Sequence, residues 1–376
     1  MTAKRQTKHT AAEPARWIAL CTALLAYIAP YANANPGELW QQDYATAKQQ
    51  AIDTGRLLLI EYSRESCGWC RTMKQTTHQQ PRVISTLKRD FIPVRLKNDG
   101  DGLKKTHSVP GTPHTLIVDP QSLTLIARIG GFVAADDYLV ELQQAKARQN
   151  LHTKHPDAFT ALLDAEKSLQ NNQLDQALDA AERGLAEARQ ATPLLIVRVK
   201  AQTRAHNGKA AVADLKRALK RMPNDIRLYR VRAFAKYDAG DFRGAAEDFD
   251  QALRLHLQPA HYDATQRWYA MAAAGHADRA DRVLRDYLRG KPNIEGDGWF
   301  RTVSGYLAGR YSEETLLRFA RRPYQRLQAY RAMAAKARLA GDRDTALKHL
   351  HKAASFKQVN VYDHTAVRAE ISALTP

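Results

Sequence analysis

The chain has 376 residues, of which 44% are apolar, and its formal net charge is +18. This length suits two or three domains, and the apolar fraction excludes an intrinsically disordered protein. Three cysteines are too few for a disulfide-stapled scaffold, and no nucleic-acid-binding motif accompanies the charge. Most of the basic excess follows residue 150. It predicts either an anionic partner, such as a membrane surface, a cell-wall polymer or an acidic protein, or a solubilising surface.

The first 34 residues have the pattern of an export signal. Residues 1–16 are polar and basic, residues 17–29 are apolar, and small residues at 32 and 34 form a cleavage site. The apolar run is shorter than the roughly 20 residues that span a bilayer, so we expect cleavage near Ala34. An uncleaved membrane anchor is the alternative.

Residues 35–150 predict a small α/β domain. Hydrophobic periodicity indicates, in chain order, a helix over 39–54, a strand over Leu57–Tyr62, a helix from the cysteines to about 79, a helical turn at 83–87, a strand over Phe91–Leu96, a loop over 98–102, strands over 115–118 and 125–129, and a final helix. Gly55 is expected to end the first helix, and Pro93 either to argue against its strand or to mark a sheet edge. Asp136 is the expected N-cap of the final helix.

Cys67 and Cys70 stand two residues apart between a strand and a helix, as in a redox dithiol. At a helix N-terminus, unpaired N–H groups and the helix dipole stabilise a thiolate, so Cys67 is the candidate nucleophile. Cys70, one turn later, is the candidate resolving thiol. The two would alternate between a dithiol and a redox-active Cys67–Cys70 disulfide.

A zinc site is the rival interpretation of this pair, and it needs two further ligands. No second cysteine pair exists, and His78, His107 and His114 lack a zinc-finger spacing. The sequence therefore predicts neither a metal nor a cofactor. We interpret His107 and His114 as surface residues and Trp40 as a core residue.

The segment over residues 38–145 resembles the thioredoxin fold, and within it the periplasmic branch with a Cys-Gly-Trp-Cys motif and a Val-Pro-Gly-Thr-Pro loop at 109–113. The resemblance implies that Pro113 is cis and packs beside the dithiol. It also implies that Thr112 offers its backbone to a bound peptide, with Trp69 at the rim of the site. Ser66 and Trp69 depart from the commonest form of the motif, which leaves the redox potential and the choice of partner open.

Glu61 lies six residues before Cys67. The same resemblance implies that it is a buried acid that accepts the proton of Cys70, and burial would raise its pKa. A partly exposed strand residue without a role in proton transfer is the alternative for Glu61.

After residue 151, small residues recur at a step of 34 and indicate a helix-turn-helix solenoid of about six repeats. The register is carried by Ala177, Ala211 and Ala245, and again by Gly184, Ala218 and Ala252. The pattern is clearest over 226–259, and a looser join is expected at 291–298. Residues 158–376 resemble tetratricopeptide repeats, which implies a superhelix whose concave face binds peptides or proteins.

The predicted architecture is an α/β thioredoxin-like domain over 35–150 followed by an all-α tetratricopeptide solenoid over 151–376. The leading hypothesis is a periplasmic thiol:disulfide oxidoreductase that acts on protein disulfides and uses its repeats to recruit a substrate or partner. An adaptor of the cell envelope with a redox-responsive or vestigial thioredoxin-like domain is the alternative, and a disulfide isomerase is a third. The direction of electron flow is open, and a reductase would need a membrane electron donor. An inner-membrane anchor facing the periplasm is the alternative localisation.

Overall fold

The computed structural model describes residues 39–97, 102–205, 207–257, 260–289, 298–356 and 361–375. The predicted export signal lies outside the described residues. So do most of the loop predicted at 98–102 and most of the join predicted at 291–298.

The first part of the described chain is a four-stranded sheet flanked by helices. Its elements are α1 (Tyr44–Thr54), β1 (Leu57–Tyr62), α2 (Gly68–Gln75), α3 (Pro81–Asp90), β2 (Phe91–Leu96), α4 (Leu103–Thr106), β3 (His114–Val118), β4 (Leu125–Gly130) and α5 (Ala135–Lys154). The strand order is β2-β1-β3-β4, in which β1 pairs parallel with β2 and antiparallel with β3. All six residues of β1 are buried, so this strand forms the centre of the domain.

Pro93 lies in the edge strand β2, as predicted, because proline cannot donate a ladder hydrogen bond. The outer side of β2 is partly covered by Gln41. The N–H of Gln41 donates to the carbonyl of Pro93 (3.0 Å), and the N–H of Arg95 donates to the carbonyl of Gln41 (2.9 Å). This short bridge protects an otherwise open edge from pairing with another chain.

Two predicted helix boundaries are wrong. Helix α1 begins at Tyr44 rather than at residue 39, because Asp43 caps it by accepting from the N–H of Thr46 (2.8 Å). Helix α2 ends at Gln75 rather than near residue 79. Pro81 opens α3 and favours an extended conformation at Gln80, so the chain turns before it.

The predicted N-cap role of Asp136 is also wrong. Helix α5 begins at Ala135, its N-cap is Ala134, and no side chain caps it. The carboxylate of Asp136 points to the repeats, where it accepts from Nδ1 of His256 (3.0 Å) and from the N–H of Leu257 (3.0 Å). A contact with a residue 120 positions away therefore replaces the local cap.

Every element after β4 in the described residues is a helix. They are α6 (Pro156–Gln170), α7 (Leu174–Glu187), α8 (Thr192–Arg204), α9 (Gly208–Arg221), α10 (Ile226–Asp238), α11 (Phe242–Leu255), α12 (His261–Ala273), α13 (Ala277–Leu288), α14 (Gly298–Leu307), α15 (Glu313–Phe319), α16 (Pro323–Leu339), α17 (Arg343–Ala354) and α18 (Val361–Leu374). Ala177, Ala211 and Ala245 are fully buried in the second helices of successive pairs. The 34-residue step thus marks the positions where neighbouring helices approach closely.

Helix α5 joins the sheet domain to the repeats. It contacts α3 and β4 on one side and α6, α8 and α10 on the other. One buried apolar cluster runs from Trp40 in the sheet domain to Ala235 in α10. The domain boundary predicted at residue 150 falls within α5 and stays a prediction. Among the described residues, none of the helices combines the length and apolar character needed to cross a membrane.

Candidate redox site

Cys67 and Cys70 form a disulfide at the start of α2. Cys67 is the N-cap of this helix, and its sulfur accepts from the N–H of Cys70 at 3.1 Å. Cys67 is half-buried and Cys70 is buried. The first cysteine of the pair is therefore the one that a macromolecular substrate can reach.

The loop before β3 lies against this pair. The Thr112–Pro113 peptide bond is cis, and the carbonyl oxygen of Thr112 lies 3.5 Å from the sulfur of Cys67. Arg64 reaches the same loop, where its Nε donates to the hydroxyl of Thr112 (3.3 Å). The structure thus brings Thr112, Pro113 and Cys67 together at one surface.

An exposed aromatic pair flanks the dithiol. The side chain of Trp69 is 54% exposed, and its ring centroid lies 5.3 Å from that of Phe132. Phe132 was not among the predicted site residues, although it follows the Gly130-Gly131 break directly. Gly131 turns the chain there with φ of 76° and donates its N–H to the carbonyl of Pro113 (2.9 Å). This hydrogen bond ties the loop that carries Phe132 to the loop of the cis proline.

Glu61 is buried in β1, as predicted, and it is held by two partners that the sequence reasoning missed. Nε of Arg95 donates to Oε1 of Glu61 at 2.7 Å, and Nε2 of His78 lies 3.2 Å from Oε2. Nη2 of Arg95 donates to Nδ1 of His78 at 3.2 Å, which closes a triad. The sequence signal that could have identified Arg95 is its charge within an otherwise apolar strand. In the structure this strand, β2, places Arg95 opposite Glu61 of β1.

The environment of the triad shifts two pKa values. Burial raises the pKa of Glu61, and the charge of Arg95 opposes this rise. Burial and the charge of Arg95 together lower the pKa of His78 to about 3. His78 is therefore neutral at pH 7. Because its Nδ1 accepts from Arg95, its proton lies on Nε2 and faces Glu61.

The interpretation of His114 as a surface residue is wrong. His114 is the first residue of β3, which lies between β1 and β4, and its side chain is buried. Burial and the charge of Arg128 lower its pKa. His107 is half-buried, and the prediction that Trp40 belongs to the core is confirmed. In the part of the chain that the structure describes, no group of three or more His, Cys, Asp or Glu side chains is arranged to hold a metal.

Residues 39–120 match the family model described as thioredoxin-like. The thiol:disulfide interchange protein DsbD of Ralstonia nicotianae is 29% identical over 104 residues, which are 26% of this chain and 17% of that protein. The chain thus corresponds to less than a fifth of that relative.

Two solved structures are similar to separate parts of the chain. A thioredoxin from Thermus thermophilus is 23% identical, with 31% of this chain and 96% of that chain covered and a TM-score of 0.28. A tetratricopeptide repeat protein from Parabacteroides merdae is 13% identical, with 62% and 93% covered and a TM-score of 0.40. Residues 39–120 thus match a thioredoxin-like family model and carry the Cys67–Cys70 pair in CXXC spacing, and a run of helices follows the sheet.

Proposed function

We propose that the protein is a thiol:disulfide oxidoreductase that acts on protein disulfides through Cys67 and Cys70. The observation that carries this proposal is the position of Cys67. It is reachable from solvent, it caps α2, and it lies 3.5 Å from the carbonyl of Thr112 in the cis-proline loop. A merely structural disulfide would not need an accessible sulfur beside the cis-proline loop.

The reaction starts from the reduced pair. The N–H groups at the start of α2 stabilise the thiolate of Cys67, which attacks one sulfur of a substrate disulfide. The substrate S–S bond breaks, a mixed disulfide forms, and one substrate sulfur leaves as a thiolate. The thiolate of Cys70 then attacks the sulfur of Cys67, which releases the second substrate thiolate and forms the Cys67–Cys70 disulfide. Two electrons pass to the substrate, and the reverse sequence oxidises it.

The remaining site residues have supporting roles in this proposal. Glu61 takes the proton of Cys70 before the second step. The backbone of Thr112, held by the cis bond to Pro113, binds the substrate chain in an extended form, as an added strand would. The exposed ring of Trp69 covers apolar surface next to the substrate disulfide.

Single cysteine variants test the reaction. We expect Cys70→Ser to accumulate a mixed disulfide with a model substrate such as insulin, because the resolving thiol is gone. Cys67→Ser should neither reduce insulin nor trap it, whereas the neighbouring Ser66→Ala should keep the wild-type rate. The measurement is non-reducing electrophoresis with a turbidity assay of insulin reduction. Wild-type reduction by Cys67→Ser would refute the proposed nucleophile.

We further propose that the export signal at residues 1–34 delivers the protein to the periplasm, where the repeats recruit the substrate or partner. A reductase there would draw electrons from a membrane partner. The redox state of Cys67 and Cys70 in growing cells distinguishes the directions, because a reductase or isomerase is held reduced and an oxidase is held oxidised. If a Cys67→Ser, Cys70→Ser double variant keeps its cellular phenotype and its partner binding, the protein is an adaptor instead.

A further inference from the structure

The segment between β4 and α5, residues 131–134, borders the redox site and is called the rim loop below. Its Phe132 is 36% exposed and packs on the exposed ring of Trp69 beside the dithiol. Aromatic side chains are enriched where proteins bind one another, so this pair is a surface that a protein substrate can cover. The position of the rim loop therefore decides where that surface stands relative to Cys67.

Two hydrogen bonds tie the rim loop to the sheet domain. The N–H of Gly131 donates to the carbonyl of Pro113 at 2.9 Å, and the hydroxyl of Thr77 donates to the carbonyl of Val133 at 2.6 Å. Both bonds join neutral groups. At its other end the loop runs straight into α5, and no side chain caps that helix at its N-cap, Ala134. The start of α5 thus lacks the local hydrogen bond that a capping side chain supplies.

The repeats hold the start of α5 instead. Asp136 lies in the first turn of this helix, and both of its carboxylate oxygens are engaged. One accepts from Nδ1 of His256 at 3.0 Å, and the other accepts from the N–H of Leu257 at 3.0 Å. His256 and Leu257 directly follow α11, so both donors belong to the repeats. The side chain of Asp136 is buried at this contact.

The bond between Asp136 and His256 joins two charges. Nε2 of His256 lies 2.7 Å from a second carboxylate, that of Asp263. Burial alone would lower the pKa of His256, but its hydrogen bonds to Asp136 and Asp263 raise it to about 9. His256 is therefore protonated at pH 7 and can donate from both ring nitrogens. Since a charge-assisted hydrogen bond is about twice as strong as a neutral one, this bond is stronger than either bond from the sheet domain to the rim loop.

We propose that Asp136 is a positioning residue through which the repeats hold the rim loop, and with it Phe132, in place for a protein substrate. Phe132 lies four residues before Asp136, so a shift in the first turn of α5 reaches it over a short length of chain. Gly131 passes the same shift to the cis-proline loop through its bond to Pro113. This role rests on the proposed function of the dithiol, and it concerns how a protein disulfide docks rather than the attack of Cys67.

Two oxidants of the reduced protein, freed of its reductant, test this role. Insulin is a protein disulfide that can cover the rim loop, whereas hydroxyethyl disulfide is small and reports the attack of Cys67. We expect Asp136→Asn to lower the ratio of the two second-order rate constants, insulin over hydroxyethyl disulfide, about fivefold. Asparagine offers one acceptor oxygen in place of two, and a misplaced contact weakens docking. Asp136→Glu keeps the carboxylate and should recover part of the loss. Acid quenching and alkylation of the remaining thiols measure each rate.

Asp137→Asn is the matched control, because it removes one charge from the same helical turn. Asp137 is 44% exposed and lies 4.0 Å from Arg230, so we expect the wild-type ratio. His256→Gln removes the charged donor from the repeat side and should lower the ratio as Asp136→Asn does. It decides the question if Asp136→Asn does not fold. Equal ratios in Asp137→Asn and in these two variants would contradict the role of Asp136.

A double substitution shows whether Asp136 acts through Phe132. In a Phe132→Ala background we expect Asp136→Asn to change the ratio by less than about twofold, because the contact that it positions is already gone. Losses that multiply as independent effects would contradict this route. A wild-type protein that reduces neither insulin nor hydroxyethyl disulfide would instead refute the proposed function, which separates the two failures.

Discussion

The side chains of Arg95 and His78, with Trp40 packed on Arg95, fix the position of Glu61. The carboxylate accepts from Nε of Arg95 and lies 3.2 Å from Nε2 of His78, and Arg95 and His78 are hydrogen-bonded to each other. Arg95 is further held by the ring of Trp40, whose centroid lies 4.2 Å from the guanidinium carbon. Burial favours the protonated form of Glu61 and Arg95 favours the ionised form. Because these two effects shift the pKa of Glu61 in opposite directions, neither protonation state is strongly favoured, which suits a group that accepts and releases a proton.

A Glu61→Gln substitution tests that role. Glutamine keeps the size of the side chain and an acceptor for Arg95, but it cannot take a proton from Cys70. We expect the release of the mixed disulfide to slow by about tenfold or more, while the attack of Cys67 keeps its rate. Acid-quench kinetics with a trapped intermediate separate the two steps. Glu65→Gln is the control, since Glu65 is exposed and its ion-pair partner Lys97 is exposed as well. Wild-type resolution by Glu61→Gln would make Glu61 a structural residue.

Local spacing made part of this site predictable. The Cys67–Cys70 spacing is set within one helical turn, and the burial of Glu61 was implied by the resemblance to the thioredoxin fold. The partners of Glu61 depend instead on the register between β1 and β2 and on the turn after α2, which periodicity does not report. Asp136 shows the same limit, because a contact with His256 overrides the cap that its local sequence suggests.

Among the helical elements, α18 is fastened by a buried ion pair. Nε and Nη2 of Arg331 donate to Oε1 of Glu370 at 2.9 and 2.7 Å, and its Nη1 donates to Gln266 at 3.0 Å. Glu370 also accepts from the hydroxyl of Tyr237 at 2.8 Å. Arg331 is 1% exposed, so its charge depends on this one carboxylate. The pair links residues 39 positions apart, outside the 34-residue step, and repeat analysis could not have found it.

Removing the carboxylate of Glu370 should destabilise the folded protein. We expect Glu370→Ala to lower the free energy of unfolding by about 3 kcal/mol, because it leaves Arg331 buried without a counter-charge. Glu370→Gln should lose less, since its amide oxygen still accepts a hydrogen bond. Urea unfolding followed by circular dichroism measures both. Glu182→Ala is the control at an exposed acid and should stay within about 0.5 kcal/mol of the wild type. A Glu370→Ala variant as stable as that control would show that α18 is not held by this pair.

Across the whole molecule, the sheet domain is joined to the repeats by apolar and polar contacts along α5. The apolar cluster is continuous through the junction. Polar contacts complement it, among them those of Glu141 with Arg227 and of Gln144 with Asp225, the latter at 2.9 Å. The sequence predicts two units in series, because periodicity describes each unit separately. The junction depends on which faces of α5 stay uncovered after the helix has packed on the sheet. Periodicity does not report this, so the contacts at the junction could not be predicted from the sequence.

His256 makes this junction depend on pH. Its Nδ1 lies 3.0 Å from Asp136 of α5 and its Nε2 lies 2.7 Å from Asp263 of α12. Burial alone would lower the pKa of His256, but the hydrogen bonds to these two carboxylates outweigh it and raise the pKa to about 9. A raised pKa means that the folded state binds the proton more tightly than the unfolded state. The stabilisation is complete below about pH 6.5 and is lost as the pH rises through 9.

The loss should amount to about 3.5 kcal/mol at most, since each unit of pKa difference corresponds to about 1.4 kcal/mol. We expect urea unfolding of the wild type to show falling stability between pH 6 and 10. His256→Gln should be less stable at pH 6 and should vary less across the same range. His276→Gln, at an exposed histidine, should follow the wild-type curve. If His256→Gln also follows the wild-type curve, the charge on His256 does not hold the sheet domain to the repeats.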